Sequence, residues 1–491
     1  MTEIKDMKAS LDNIRKNLDE YKAGFDPMIA TDIIEEKGVS ENVIRYISKK
    51  NNEPKWVLDF RLSAFEKWKK MEEPHWALFN YQPIDYGEVY YFSRPKTKNA
   101  DGDGESIDAE EQAINAKIDE TYKRLGVPLK EQEILKGQAV DAVVDSVSVR
   151  TTYGKKLLEM GIIFCPISMA IQKYPDLVKK FFAHVVPAED NFFACLNAAV
   201  FSDGTFVYIP PKVKCPIELS SYFRLQAEKL GQFERTLIIA DEGAEVTYLE
   251  GCSAPIRDDN QLHCGVVELV ACNGAKINYS TVQNWYSGDK QGRGGIFNFV
   301  TKRGVCFDDA TISWTQLEVG SAKTWKYPSC ILKGNRSKGE FFSVAITNNK
   351  QVADTGSKMI HIGKDTKSTI ISKGISLGQS QNGYRGLVKM AGGAKNAQNY
   401  TKCDNLVVGD EAEALALPDI INMEKSAQVE HEASVSSVGE EQLFMLGQRG
   451  IDEDKALGLI VNGFCSDIIK RLPAEFAVEA RELINISVEG S

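Results

Sequence analysis

Four common functional signatures are missing from the 491 residues. No Cys-x-x-Cys pair occurs among ten scattered cysteines, which argues against a zinc ribbon, a thioredoxin-like site and a permanent ferredoxin-type cluster. Five histidines, His75, His184, His263, His361 and His431, contain no His-Glu-x-x-His pair, and His361 in KMIHIGK reads as a core or turn residue. No Walker A loop is present, so the chain is not expected to hydrolyse ATP, and GRGGIF (292–297) lacks the dinucleotide fingerprint. Long apolar runs are absent too, with nothing near the roughly 18 residues of a membrane span. The opening MTEIKDMKASLDNIRK is charged without an apolar centre, so no signal peptide is expected and the localisation expected is cytoplasmic. In that reducing setting the cysteines are not expected to form a disulfide framework. Net charge is −10 with no basic block, which disfavours nucleic-acid binding.

What is present is ample for a core: 43% hydrophobic residues and 26% charged residues, enough for two or three domains. Residues 1–150 are expected to be a mainly helical region. Leu11, Ile14, Leu18 and Tyr21 fall at helical spacing, residues 41–71 form a second amphipathic stretch, and a helix resumes near 107. NADGDGES (99–106) resembles a calcium loop, but Ser106 and Gln112 stand where Gly and Glu are required, so the match is rejected.

From about residue 230, short runs of valine, isoleucine, threonine and aromatics alternate with polar residues and stop at glycines. Gly243, Gly274, Gly304, Gly334, Gly363 and Gly393 recur at intervals of 29 to 31 residues. A sustained period of this length in strand-like sequence predicts stacked coils, here a parallel β-helix over 151–425 including the segment leading into it. Residues 426–491 hold a last strand and a helical domain. Ser437 and Glu440 resemble a capping box, Asp452 is placed to cap a long helix ending near Leu472, and Pro473 is placed to start another. The apolar residues Leu457, Leu459, Ile460, Val461, Phe464, Ile468 and Ile469 exceed what such a unit normally buries, which points to a partner.

The period gives each reactive residue a place in its coil. Cys252 and Cys403 fall on similar faces five coils apart, about 24 Å at the spacing of stacked strands. Glu430, His431 and Glu432, in SAQVEHEAS, carry offsets just short of that of Cys403, so one of them is expected beside it. Strand alternation sends the two glutamates one way and His431 the other. A solvated edge, a metal site and an interface are all open readings of the triplet, and thiolate, imidazole and carboxylate together can ligate iron. Cys252 follows a glycine in what reads as a loop, with Arg257 near enough to favour the nucleophilic thiolate. Cys165, Cys195, Cys215, Cys264, Cys272, Cys306 and Cys465 read as small buried hydrophobes, while Cys330 is left open.

Beyond these patterns, EGCSAPIRDDNQLH, STVQNWY, GGIFNFVTKRG, TWKYPSCIL, ADTGSKMIHIGKDTKSTIISKGIS, EHEAS and LGLIVNGFC resemble the SufB proteins, scaffold subunits of the SUF iron–sulfur cluster assembly system, from about residue 30 onward. The resemblance implies a right-handed parallel β-helix between helical N-terminal and C-terminal domains. It implies no enzymatic activity in this subunit, with ATP hydrolysis in a partner, the ATPase SufC, docked on the C-terminal helices. It further implies SufD or a second SufB copy at the β-helix end, and sulfur delivered from SufS by SufE or SufU. By resemblance Cys252 accepts persulfide sulfur. Cys403 and Glu432, with His431 and Glu430, hold a transient 4Fe-4S or 2Fe-2S cluster. Flavin binding is left open, with no support in the sequence. The rivals are a carbohydrate-active β-helix enzyme, which would use paired acids in a groove, and a structural SufD-like subunit, which should lack the EGC loop.

Overall fold

The computed structural model describes residues 31–33, 36–77, 84–95, 139–144, 147–151, 154–224, 231–253 and 260–488. The helices expected near 11–21 and 107–127, the loop at 99–106, and Arg257 lie outside the described residues.

Two long sheets build a mainly β, parallel solenoid of about seven turns. One sheet stacks Leu219–Arg224, Glu245–Ser253, Lys276–Trp285, Thr311–Gly320, Lys338–Thr347, Lys367–Leu377, Gln398–Val408 and Gln428–Ser437 in chain order. The other runs through Thr205–Ile209, Arg235–Ala240, Val266–Ala271, Gly295–Cys306, the pair Lys323–Lys326 and Ser329–Leu332, Val352–His361 and Gln381–Met390 to Glu413–Asn422. Strand pairing starts earlier than the expected residue 230: Ala139–Val144 joins the first sheet and Ile163–Pro166 the second. The sequence texture hid these strands because helices at 154–159, 167–173, 175–181 and 192–200 are interleaved with them.

Period-2 alternation decides which side chains enter the lumen. Tyr248, Tyr279, Trp314, Phe341 and Ile370 occupy one register column and are all buried. Their rings meet at 5.1 Å between centroids for Tyr248–Tyr279 and again for Tyr279–Trp314. The opposite faces are covered by helices. Val43, Ile44, Ile47, Phe65, Phe192 and Phe193 pack with Phe299 and Trp325 of the second sheet. Leu457, Val461, Ile468 and Ile484 of the C-terminal helices pack with Leu317, Phe342, Val344 and Ile375 of the first.

The corners carry side-chain ladders. Asn273 Oδ1 accepts from the Asp308 amide at 3.2 Å, Asp308 Oδ1 from Asn335 at 2.8 Å, and Asn335 Oδ1 from Lys364 at 2.9 Å. Each coil therefore satisfies a backbone donor of the next. Gly334 and Gly363 sit at these corners, where an added Cβ would come within 2.0 and 2.1 Å of neighbouring backbone. Gly304 does not: it lies inside Gly295–Cys306. The corner residue of that coil is Asp309, 35 residues after Gly274 and 27 before Arg336. The excursion at 286–294 lengthens one coil, the next is correspondingly short, and the glycine period averaged over both.

The C-terminal helices are Glu440–Gly447, Glu453–Ile469 and Ala474–Val488. Asp452 caps the second, its side chain accepting from the Lys455 amide. The proposed capping box fails, because Ser437 ends a strand and the N-cap is Gly439 with no side-chain bond. No helix among the described residues is long and apolar enough to cross a membrane.

His361 tests the dryness of the lumen. Thr366 and Ser368 hydroxyls hold its two ring nitrogens at 2.8 Å each, and burial lowers its pKa from 6.5 to about 4. The unfolded chain takes up this proton below pH 6.5 and the folded chain does so only near 4. Its contribution is thus complete above 6.5 and lost as pH falls through 4, at up to about 1.4 kcal/mol per pH unit. The wild-type protein should lose urea resistance across that window more steeply than His361→Gln. Equal slopes would show that this ring is not held neutral by the fold.

Candidate functional site

Cys252 is the penultimate residue of Glu245–Ser253, in register with Phe223 and Gln283, and is buried. This corrects the loop expected from the sequence. A strand also fixes its direction: Tyr248, Glu250 and Cys252 alternate into the lumen together. Phe223, Trp285 and Ile296 pack with the thiol. Its sulfur lies 3.9 Å from Glu250 Oε1 and 3.8 Å from Gln283 Nε2.

Around it is a set of buried charges that the motif reading missed. Lys302 donates to Glu250 Oε1 at 2.8 Å and to Thr281 Oγ1 at 2.9 Å, and the Tyr279 hydroxyl donates to Glu250 Oε2. Lys326 pairs with Glu318, and His263 bridges Glu234 and Asn298. Burial, reinforced by Glu250 and Glu234, pushes the Cys252 thiol well above its ordinary range, against the pull of Lys302 and Lys326. That direction favours the neutral thiol; Arg257, the cation expected to favour the thiolate, lies outside the described residues. Among the described residues the cations that act on it are these two lysines, set on the opposite sheet. Burial also lowers the pKa of Lys302. One signal was available: Lys302 shares strand parity with Val300 and Gly304, so it had to face inward.

Cys403 lies in the middle of Gln398–Val408, also facing the lumen, and only 1% exposed. Its register column runs back through Ser372, Ser343, Gln316 and Thr281 to Glu250. The neighbouring column runs from Cys252 through Gln283, Glu318, Ala345 and Gly374 to Asn405. The two thiols are thus five strands apart on one inner face, linked by two columns of small or polar side chains. Ser343 and Ser372 are hydrogen-bonded at 2.9 Å. Burial pushes Cys403 up to about 12, while the Tyr384 hydroxyl, bonded to Ser357 at 3.0 Å, favours the thiolate.

None of the three residues of the triplet stacks directly on Cys403. Its partner on the last strand is Ala433, with Glu432 opposite Lys402, His431 opposite Thr401 and Glu430 opposite Tyr400. The strict 30-residue interval gives this register, and the tolerance allowed in the sequence reading displaced it. His431 shares the lumen face with Cys403 and Ala433, whereas Glu430 and Glu432 point outward and are exposed. Tyr400 OH lies 3.5 Å from Glu432 Oε2 on that outer side. The buried His431 Nε2 has no hydrogen-bond partner among the described residues. Glu432 and Cys403 consequently start on opposite faces of the sheet, and only a reach around the open edge unites them.

That edge ends both sheets. Among the described residues, Glu413–Asn422 and Gln428–Ser437 each pair on one side only, and expose Leu415, Leu417, Ile420, Ile421 and Val435. No group of three or more metal-ligating side chains exists among the described residues. Of the remaining cysteines, Cys330 accepts from the Trp314 indole at 3.2 Å in the lumen, and Cys215 and Cys272 are partly exposed.

Comparison with known proteins gives this arrangement a family. Residues 223–464 match the SufBD core domain of the SUF system for FeS cluster assembly, and residues 116–219 match the SufBD protein N-terminal region. The chain is 57% identical to an iron–sulfur cluster assembly SufBD family protein of Synechocystis sp., over 96% of this chain and 97% of that one. A chloroplastic SufBD family protein of Arabidopsis thaliana is 54% identical over 97% of this chain and 84% of its own length. One from Staphylococcus aureus is 40% identical over 96% and 98%. With full-length likeness at this level, the chain belongs to the SufBD family of iron–sulfur cluster assembly proteins.

Proposed function

We propose that the protein is a cytoplasmic scaffold of the SufB type, which accepts sulfur at Cys252 and assembles a transient cluster at Cys403. The observation that carries this reading is the pair of thiols on one inner face, joined by columns of polar and small side chains. In the first step the Cys252 thiolate attacks the outer sulfur of a donor persulfide. A Cys252 S–S bond forms, the donor S–S bond breaks, and the donor leaves as a thiolate, so no outside oxidant or reductant is consumed. Sulfur then has to cover about 24 Å to Cys403, five strand spacings away. Thr281, Gln316, Ser343 and Ser372 offer hydrogen bonds along the way, on a route closed to bulk water.

At the far end, Cys403 and His431 share a face and Glu432 stands at the rim. The cluster is cargo here, and ligands from a second subunit complete its shell. The unpaired edge with Leu415, Leu417, Ile420 and Ile421 supports docking of SufD or a second copy of this chain, since an apolar strand edge is a template for pairing. The apolar side chains left exposed on the C-terminal helices, Phe444, Met445, Leu459 and Val478, support docking of SufC, which would supply ATP hydrolysis. SufS with SufE or SufU is the expected sulfur source.

Cys252→Ser should abolish sulfane-sulfur labelling of the Cys252 peptide, and Cys403→Ser should not. Conversely Cys403→Ser, His431→Ala and Glu432→Ala should each lower the absorbance of anaerobically reconstituted cluster while sulfur uptake at Cys252 continues. Full cluster yield in all three variants would return the last strand to a structural role.

The helices cannot be deleted to test SufC docking, because they cover Phe342 and Val344. Phe444→Glu with Leu459→Glu keeps that buried face. The double variant should lose at least about tenfold in SufC affinity, as expected for removing central apolar anchors, with an unchanged thermal transition. Wild-type affinity would place the docking surface elsewhere.

A further inference from the structure

A continuous chain of side chains leads away from Cys252 in a direction that the sulfur route does not use. Gln283 Nε2 lies 3.8 Å from the Cys252 sulfur. Asn298 Nδ2 is 2.7 Å from Gln283 Oε1, and His263 Nδ1 is 2.7 Å from Asn298 Oδ1. His263 Nε2 closes on Glu234 Oε1. All five residues are buried, and the Trp285 ring, 4.7 Å away, covers a face of the imidazole.

Two primary amides in series transmit polarity, because each has one donating and one accepting end. If His263 carries a proton on Nδ1, it donates to Asn298 Oδ1. Asn298 Nδ2 then donates to Gln283 Oε1, and Gln283 Nε2 presents a donor to Cys252. A donor stabilises an anionic sulfur. If Nδ1 is unprotonated it accepts instead, and both amides turn. Gln283 Oε1 then faces Cys252 and accepts from its S–H. The second arrangement has its own support: the turned Gln283 donates to Glu318 Oε2 at 2.5 Å and accepts from Lys326 Nζ at 3.3 Å. In the first arrangement those two contacts are acceptor on acceptor and donor on donor. Lys326 and Glu318 therefore pull the amide toward the thiol form, and a protonated His263 pulls it toward the anion.

We propose that His263, acting through Asn298 and Gln283, is a positioning residue that couples its own protonation to ionisation of the Cys252 sulfur. The coupling rests on the reading of Cys252 as sulfur acceptor for its purpose, though not for its existence. It answers a difficulty that reading leaves. A thiol among Phe223, Trp285 and Ile296, beside Glu250, is a poor nucleophile until something favours its anion. The charges facing the network are Glu234, Glu250, Glu318, Lys302 and Lys326, and Glu234 is the one that holds a proton on His263. Burial opposes that charge, yet the Glu234 carboxylate keeps the imidazole pKa above its ordinary value.

The test uses the full chain. Iodoacetamide alkylation of Cys252 is followed by peptide mass spectrometry across pH, and sulfur uptake from inorganic polysulfide is followed in parallel. His263→Gln cannot carry the charge, and Asn298→Ala interrupts the chain without adding one. Each should move the alkylation midpoint up by about one pH unit, a tenfold loss of thiolate at fixed pH. The double variant should move it no further, since both act on one chain. Asn298→Ser serves the same purpose if the alanine variant does not fold. Unshifted midpoints in folded single variants, or a double shift equal to the sum, would overturn the coupling. Should wild-type Cys252 take no sulfur while its alkylation still responds to His263, the acceptor reading fails and the coupling stands.

Discussion

A solenoid lumen filled by buried side chains imposes one rule on this molecule: any charge on an inner face has to be neutralised by another side chain on an inner face. Glu250 with Lys302, Glu318 with Lys326, and Glu234 with His263 obey it, each pairing residues from opposite sheets or neighbouring coils. Breaking such a pair by removing one member costs about 3–5 kcal/mol, because the survivor stays buried and unpaired. The same pairs over well-packed apolar residues would stabilise little or nothing. A fold that keeps three of them around one thiol gives up stability to hold charge beside it. Much else about the site follows: the raised pKa of the thiol, the neighbouring lysines, and the opposed pulls on the Gln283 amide.

The architecture was legible from sequence because corners make demands that strands do not. Gly334 and Gly363 are glycines since backbone from the preceding coil occupies the space of a Cβ, whereas Gly243, Gly274 and Gly393 meet the demand of a positive φ at their corners. Gly304 joined the series by accident, an excursion at 286–294 being offset by a short following coil in which Pro328 interrupts the second sheet between Lys323–Lys326 and Ser329–Leu332. The five-coil separation of the thiols and their common face followed from the same period and hold in the register.

The site was less legible because a lysine or glutamate in an alternating strand normally marks the solvated side. Here Glu250, Lys302 and Lys326 sit on the side shared with Tyr248, Val300 and Tyr384, and only knowledge of both sheets at once shows them converging. Cys252 was misplaced for a related reason: Gly251 suggests a turn, but it lies opposite Val282 in an unbroken ladder. His431 is the instructive middle case. Alternation separated it from Glu430 and Glu432 correctly, and the residue matched to Cys403 was off by at least one step.

Stacked coils lend one another stability, so the free energy needed to open a coil depends on how many neighbours hold it. Interior coils are clamped from above and below and locked through their Asn and Asp corners. The coil bearing Gln428–Ser437 has a neighbour on one side only, no corner ladder beyond it, and mostly exposed side chains. It is the cheapest part of the stack to unfasten. On the proposed function, a cluster held there, one layer above a thiol opposite nothing larger than Ala433, would be released by local fraying with the rest of the tube left shut.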